Sequence, residues 1–186
     1  MNIKKEFTIL SNMPKELRWI GDPVLRAKTK DIKPLDIPKA ETKRIISKMN
    51  LALDKIQKYS RGVAIAAPQI GISKSVTVVD FAGKRATFIN PKILKYSKTR
   101  NVYTEGCLSS SPLFADVIRP KTIRVSYYDS SGKRHIENIY GGLARILQHE
   151  IDHLYGILCV DRCSLKSAQY VFDVEKFKKG LKFRRV

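Results

Sequence analysis

Hydrophobic positions change their spacing along the chain, and the changes mark out its elements. After Pro38, the residues Ile45, Ile46, Met49, Ala52, Leu53 and Ile56 recur at three- and four-residue steps, with Lys and Glu on the other side. That is the period of an amphipathic helix, and a proline is well suited to its start. Such a stripe is scaffold, because a helix of this pattern buries its apolar face in a core. Over residues 75–137 the texture becomes β-branched and aromatic, notably at 76–79, 86–89 and 122–128, with Gly83 and Ser130-Ser131-Gly132 as turns. These runs predict an antiparallel sheet. Residues 138–142 then lead into a second helix, on which Leu143, Ile146 and Leu147 are spaced to pack against that sheet. The order helix, strands, helix predicts an α+β fold: antiparallel sheets around a central second helix, with an N-terminal helix and a helical C-terminal tail. Ahead of all this, residues 19–25 read as an extended apolar entry turning at Asp22-Pro23.

A chain of 186 residues with 43% hydrophobic content fits one domain spanning 1–186, ending in a basic segment at 174–186. It contains no internal repeat or linker. Residues 1–10 lack an apolar run long enough for a signal peptide or membrane span, so a cytoplasmic protein is expected, with a short organelle-targeting signal left open.

The second helix carries Gln148-His149-Glu150-Ile151-Asp152-His153. Helical positions four apart lie on one face, so His149 and His153 can direct two ring nitrogens at one point, as metal ligands do. The chain has three histidines, and two of them stand at this spacing. Glu150 lies about a hundred degrees round the helix, outside the ligand set but within reach of a water beside the ion. It reads as a general base. A catalytic site of this kind takes three protein ligands. No further histidine follows His153, and His135 lies upstream. Glu175 would suit one class of metallopeptidase, but in its lysine-rich surroundings a solvated carboxylate is the ordinary expectation. Cys107, within Glu105-Gly106-Cys107-Leu108-Ser109, is the better candidate, since a thiolate with two imidazoles suits zinc or ferrous iron. From these residues alone it could equally be a buried free thiol.

A third stretch, Gly62-Val63-Ala64-Ile65-Ala66-Ala67-Pro68-Gln69-Ile70-Gly71, changes the balance. The three stretches together, in this order across residues 62–156, resemble the peptide deformylase family of metal hydrolases. The resemblance implies that Cys107, His149 and His153 bind one divalent metal ion, with Fe2+ expected and Zn2+, Ni2+ or Co2+ able to use the same ligands. It implies that Glu150 is the catalytic acid and base, and that the Gln69 side chain and the Leu108 backbone N–H hold the formyl oxygen. The implied substrate is the N-formylmethionyl end of a nascent peptide, released as formate and a free amine. Gly62, Val63, Ala64, Gly142, Arg145 and Ile146 would line its binding site, with Arg145 at the cleft mouth meeting a substrate carbonyl or carboxylate. The chain departs from the family pattern in three places: Ala64 stands for a second glycine, Ser110 and Ser111 for a hydrophobic residue and a proline, and Gly142 for a bulkier apolar residue. Gly142 therefore predicts a roomier pocket. Asp152 is expected to pair with Arg119, tying the cysteine loop to the helix.

Charge adds a partner. The chain has 36 Lys and Arg against 17 Asp and Glu, a net charge of +19, and Lys176, Lys178, Lys179, Lys182, Arg184 and Arg185 crowd its end. This predicts salt-dependent docking of the C-terminal segment on ribosomal RNA, with a membrane surface as the weaker alternative. Cys159 and Cys163 read as ordinary thiols, because two further metal ligands are not apparent near them in the sequence. Two other function classes compete: a metallopeptidase or other N-acyl-peptide hydrolase, and an inactive basic homologue that binds RNA or the ribosome. The full set of candidate ligands, base and Gln69 argues for an active enzyme.

Overall fold

The computed structural model describes residues 11–60 and 62–170, so residues 1–10, Glu175 and the basic segment 174–186, expected to be a helical tail, lie outside the described residues. Helix α1, Ala40–Tyr59, follows the predicted stripe: Met49, Leu53 and Ile56 are fully buried, with Ile45 and Ile46 partly so. Each such side chain contributes roughly 1.5–3 kcal/mol by leaving water. Their partners are Ile65, Val76, Val78 and Ile89 in the same core cluster.

Those partners belong to a five-stranded antiparallel sheet of order β1-β2-β3-β6-β7, built from Ala64–Ala66, Val76–Phe81, Lys84–Tyr96, Thr122–Tyr128 and Arg134–Tyr140. A three-stranded sheet of order β4-β5-β8 is built from Arg100–Gly106, Leu113–Pro120 and Gln169–Tyr170. Helix α2, Gly141–Leu154, packs on β1, β2, β6 and β7 of the first sheet and reaches β5 of the second. It is central, as expected, and Ala144, Leu147 and Ile151 bury one face against Val79, Phe88, Ile123 and Val125. The fold is α+β.

Three readings of the pattern need correction. Strand β3 continues to Tyr96, well past residue 89, and β4 and β5 are strands that the composition concealed. Polar residues on β4, such as Asn101 and Glu105, break the apolar alternation because they face a buried polar site instead of a greasy core. Residues 138–140 belong to β7, so the strand feeds the helix directly through Gly141, which has φ +59°. Residues 19–25 form no strand. The Asp22 carboxylate accepts the Val24 N–H at 3.0 Å and caps a 3-10 turn at Pro23–Leu25, while Trp19 and Ile20 are exposed. A short acceptor beside a proline favours this local turn over a ladder.

Candidate active site

The site lies where β4 ends, β1 turns and α2 passes between the sheets. Gly106 lets the chain reach it: a Cβ there would fall within 2.4–2.8 Å of the Phe114 ring on the paired strand, so only glycine permits this approach. The next residue, Cys107, is buried, and its Sγ lies 3.2 Å from His153 Nε2. One nitrogen each from His149 and His153 and the Cys107 sulfur all lie within 4.8 Å of one another. The two imidazoles stand edge to face, 5.1 Å between centroids, as residues one helical turn apart should.

Electrostatics favours an ionised sulfur. Burial alone would raise the Cys107 pKa, but the charge of His153 and the hydrogen bonds of His149 and His153 outweigh it, and the thiol lies well below its ordinary value. Burial likewise pushes His149 down, yet its hydrogen bonds to Cys107, Cys159 and Glu105 leave it well above the ordinary histidine value. Two imidazoles and a thiolate are the borderline-soft donor set that zinc and ferrous iron accept. The residues therefore fit a single divalent ion. Glu150 is buried beside them, its pKa is raised by that burial, and its Oε2 has no hydrogen-bond partner among the described residues.

Gln69 sits on a 3-10 turn, Ala67–Ile70, and is 1% exposed. Its Oε1 accepts the Ala66 N–H at 2.9 Å, which turns its amide NH2 toward Ser109 Oγ at 3.2 Å and Cys107 Sγ at 3.7 Å. Leu108 opens the short 3-10 turn after the cysteine, and its side chain lies next to Gly62. Residues 18–20 hold these two turns together, the Arg18 N–H donating to Gln69 O and the Ile20 N–H to Ser109 O, both at 2.8 Å.

Other predicted residues are placed differently. Arg145 does not line a cleft mouth: its guanidinium donates to Glu105, to Val117 O and to both oxygens of Asn101. The space beside Gly142 is not open, because a Cβ there would lie 2.8 Å from the Phe81 ring. Phe81 thus fills the room that the missing side chain was expected to leave. The Ala64 methyl joins the core cluster under α2, Ile146 packs at its edge, and Val63 is exposed with its carbonyl accepting the Asp80 N–H at 2.7 Å.

Glu105 is the residue whose role the sequence reading passed over. Its carboxylate accepts from Arg119 at 2.8 and 3.0 Å, from Arg145, and from His149 Nδ1 at 3.1 Å. Burial raises its pKa, but the hydrogen bonds from His149 and Arg119 prevail and hold it far below the ordinary carboxylate range. A carboxylate on Nδ1 leaves Nε2 of His149 for an ion and fixes the ring's orientation. The signal was present: residues two apart on a strand share a face, so Glu105 and Cys107 had to point the same way. Arg119 also donates to Asp152 at 2.8 Å, the expected pairing, and Arg162 completes Asp152's set at 2.6 and 2.7 Å. Cys159 is less ordinary than its spacing implied. It joins Glu105 and His149 as a second possible ligand group, although the arginines engage both Glu105 oxygens and His149 is shared with Cys107.

The polypeptide deformylase family profile matches residues 14–169. The chain belongs to the peptide deformylase family. A Prochlorococcus marinus (strain MIT 9515) peptide deformylase is 40% identical over 171 residues, covering 88% of this chain and 79% of that relative. The crystal structure of peptide deformylase from Thermotoga maritima superposes with TM-score 0.72 at 38% identity, covering 80% of this chain and 96% of the other. A Synechococcus elongatus peptide deformylase solved in complex with actinonin gives TM-score 0.74 at 36% identity, with 82% and 80% covered. Deformylases remove the formyl group from nascent peptides, and this chain is a hydrolase of that kind. Among the described residues no helix is long and apolar enough to cross a membrane.

Proposed function

We propose that Cys107, His149 and His153 hold one divalent ion, ferrous iron by preference, and that Glu150 handles the proton in hydrolysis of the formyl amide. The observation that carries this reading is the convergence of the three donor atoms within 4.8 Å beside the buried Glu150 carboxyl. A divalent ion at these ligands supplies Lewis acidity toward the carbonyl and a water acidic enough to ionise near neutral pH. Glu150 accepts the proton of the attacking water and returns it to the departing amine, which its raised pKa suits. The Gln69 amide, held by Ala66, and the Leu108 N–H receive the negative oxygen, and loss of one such donor costs about a hundred- to a thousandfold in rate. No covalent intermediate is required, so Cys107 acts as ligand and not as nucleophile.

Formate release from formyl-Met-Ala-Ser, by protein purified anaerobically with iron beside a Glu150→Ala control, tests this reading. Rapid release abolished in the control is expected. Equal release from both would overturn the role of Glu150. The substrate arises on the ribosome, and the basic segment 174–186 suits contact with ribosomal RNA in the cytoplasm. A chain ending at Asp173 is expected to lose ribosome affinity at low salt, and unchanged binding would remove the tail from consideration.

A further inference from the structure

A cleft of about 580 Å³ lies between α1 and the segment that follows the Gln69 turn, and no residue of the active site lines it. Four cations surround it: Lys30, Arg44, Lys48 and Lys74. Lys30 and Lys74 are backbone partners in a parallel bridge, joined by the Lys30 N–H to Ser73 O and the Ser75 N–H to Lys30 O, which brings two basic residues to one side of the cleft. Arg44 and Lys48 stand four apart on α1, again a like-charge pair on one face. None of the four has an ion-pair partner among the described residues, whereas Arg85 pairs with Asp54 and Asp80, and Lys92 with Asp31. Glu41 is the one carboxylate on the lining. Positive charge gathered around a concave space attracts an anion into it.

We propose that this cleft is an RNA-contact surface that takes the phosphodiester backbone without reading bases. The cations are mostly lysines, point charges rather than planar forks, which suits phosphate oxygens and confers no base pattern. Ile45 and Ile72 provide an apolar floor between the two charged pairs. A membrane surface is flat and meets cations on a convex face, whereas these four converge on a hollow. Its lining residues lie outside segment 174–186 and outside the proposed catalytic set. Basic residues also outnumber acidic ones across residues 11–60 and 62–170, so the charge is not confined to the tail.

The test uses the full chain and a fluorescent RNA strand of about 20 nucleotides, with affinity followed against salt by anisotropy. The double variants Arg44→Gln/Lys48→Gln and Lys30→Gln/Lys74→Gln are compared with Lys95→Gln/Arg124→Gln, which removes a cross-strand cation pair away from the cleft. Each cleft variant is expected to lose on the order of tenfold to a hundredfold in affinity at about 50 mM salt, and its log–log salt slope to fall by about 1.4, as for two phosphate contacts on a single strand. The control pair should bind like the parent chain. Formate release should be unchanged in all three, and the melting temperature of the cleft variants should not fall, because these cations make no ion pair among the described residues. Parental binding in the cleft variants, an equal loss in the control, or a lowered melting temperature would overturn the proposal. Competition by inorganic phosphate at the concentration of RNA phosphate would also do so. Failure of the parent chain to release formate would count against the catalytic reading and leave this test intact.

Discussion

Glu105 shows how much one carboxylate organises. It is buried, it pairs with Arg119 and Arg145, and it receives His149 Nδ1, so its charge is distributed over three donors while it aims the His149 ring. Replacement by Gln removes the charge and leaves Arg119 with Asp152 as its remaining carboxylate partner. Breaking a buried pair from one side typically costs 3–5 kcal/mol, and the surviving Asp152 contact places Glu105→Gln toward the lower end, at about 3 kcal/mol by denaturant unfolding. Metal affinity should fall by roughly ten- to a hundredfold, read by competition with a chelator. Glu150, by contrast, touches no donor through its Oε2 among the described residues. Its substitution should remove turnover while the bound ion remains at one equivalent.

At the scale of elements, the first helix and the β2–β3 hairpin are joined by a polar cluster outside the core. Arg85 on β3 bonds Asp80 on β2, and Asp54 and Gln57 on α1, while Gln57 also donates to Asp80. The hydrogen bonds from Arg85 and then Gln57 hold the Asp80 pKa below its ordinary value. A depressed carboxylate contributes stability above its unfolded pKa, about 3.9, and loses it as pH falls through the lower folded value. The stability difference between the parent chain and Asp80→Asn should therefore be constant above about pH 5 and shrink below about pH 3.9. An acid titration of unfolding free energy reads this directly, and a difference that grew on acidification would contradict it. Helix α2 is held at its middle and its C-terminal end by other elements: Gln148 donates to Pro120 O, and Thr29 bonds Leu154 O through both its N–H and hydroxyl. These contacts fix the rotation of the helix that carries both histidines.

For the whole molecule, the proposed active site links three regions distant in sequence. Cys107 comes from the end of β4, the histidines from α2, and Gln69 from the turn after β1, so an ion bound as proposed at the cysteine and histidines would cross-link the two sheets through the helix. An ion that binds the folded chain alone stabilises it by mass action, by about 2.7 kcal/mol at a hundredfold excess over Kd. Chelation should lower the melting temperature and readdition of iron restore it. A melting temperature indifferent to chelator would mean that these residues hold no ion.

The spacing of His149 and His153, the glutamate between them, the stripe of α1 and the α+β order are local patterns, and the amino-acid sequence determined them by itself. Periodicity is a property of neighbouring residues, so it is legible without knowing the fold. The family resemblance supplied Cys107 as third ligand where the residues alone left a buried thiol equally open. What only the tertiary structure decided is how distant side chains meet. Arg145 could have faced solvent or substrate, and the sheet edge carrying Asn101 and Glu105 claimed it. Gly142 promised space until Phe81, sixty-one residues earlier, filled it. Strands β4 and β5 were hidden because their polar residues answer to partners on α2 and not to an apolar period. The cation-lined cleft is of the same kind, since Lys30 and Lys74 become neighbours only through a bridge between separated segments. Long-range pairing follows from the packing of both faces at once, and no local window of sequence contains it.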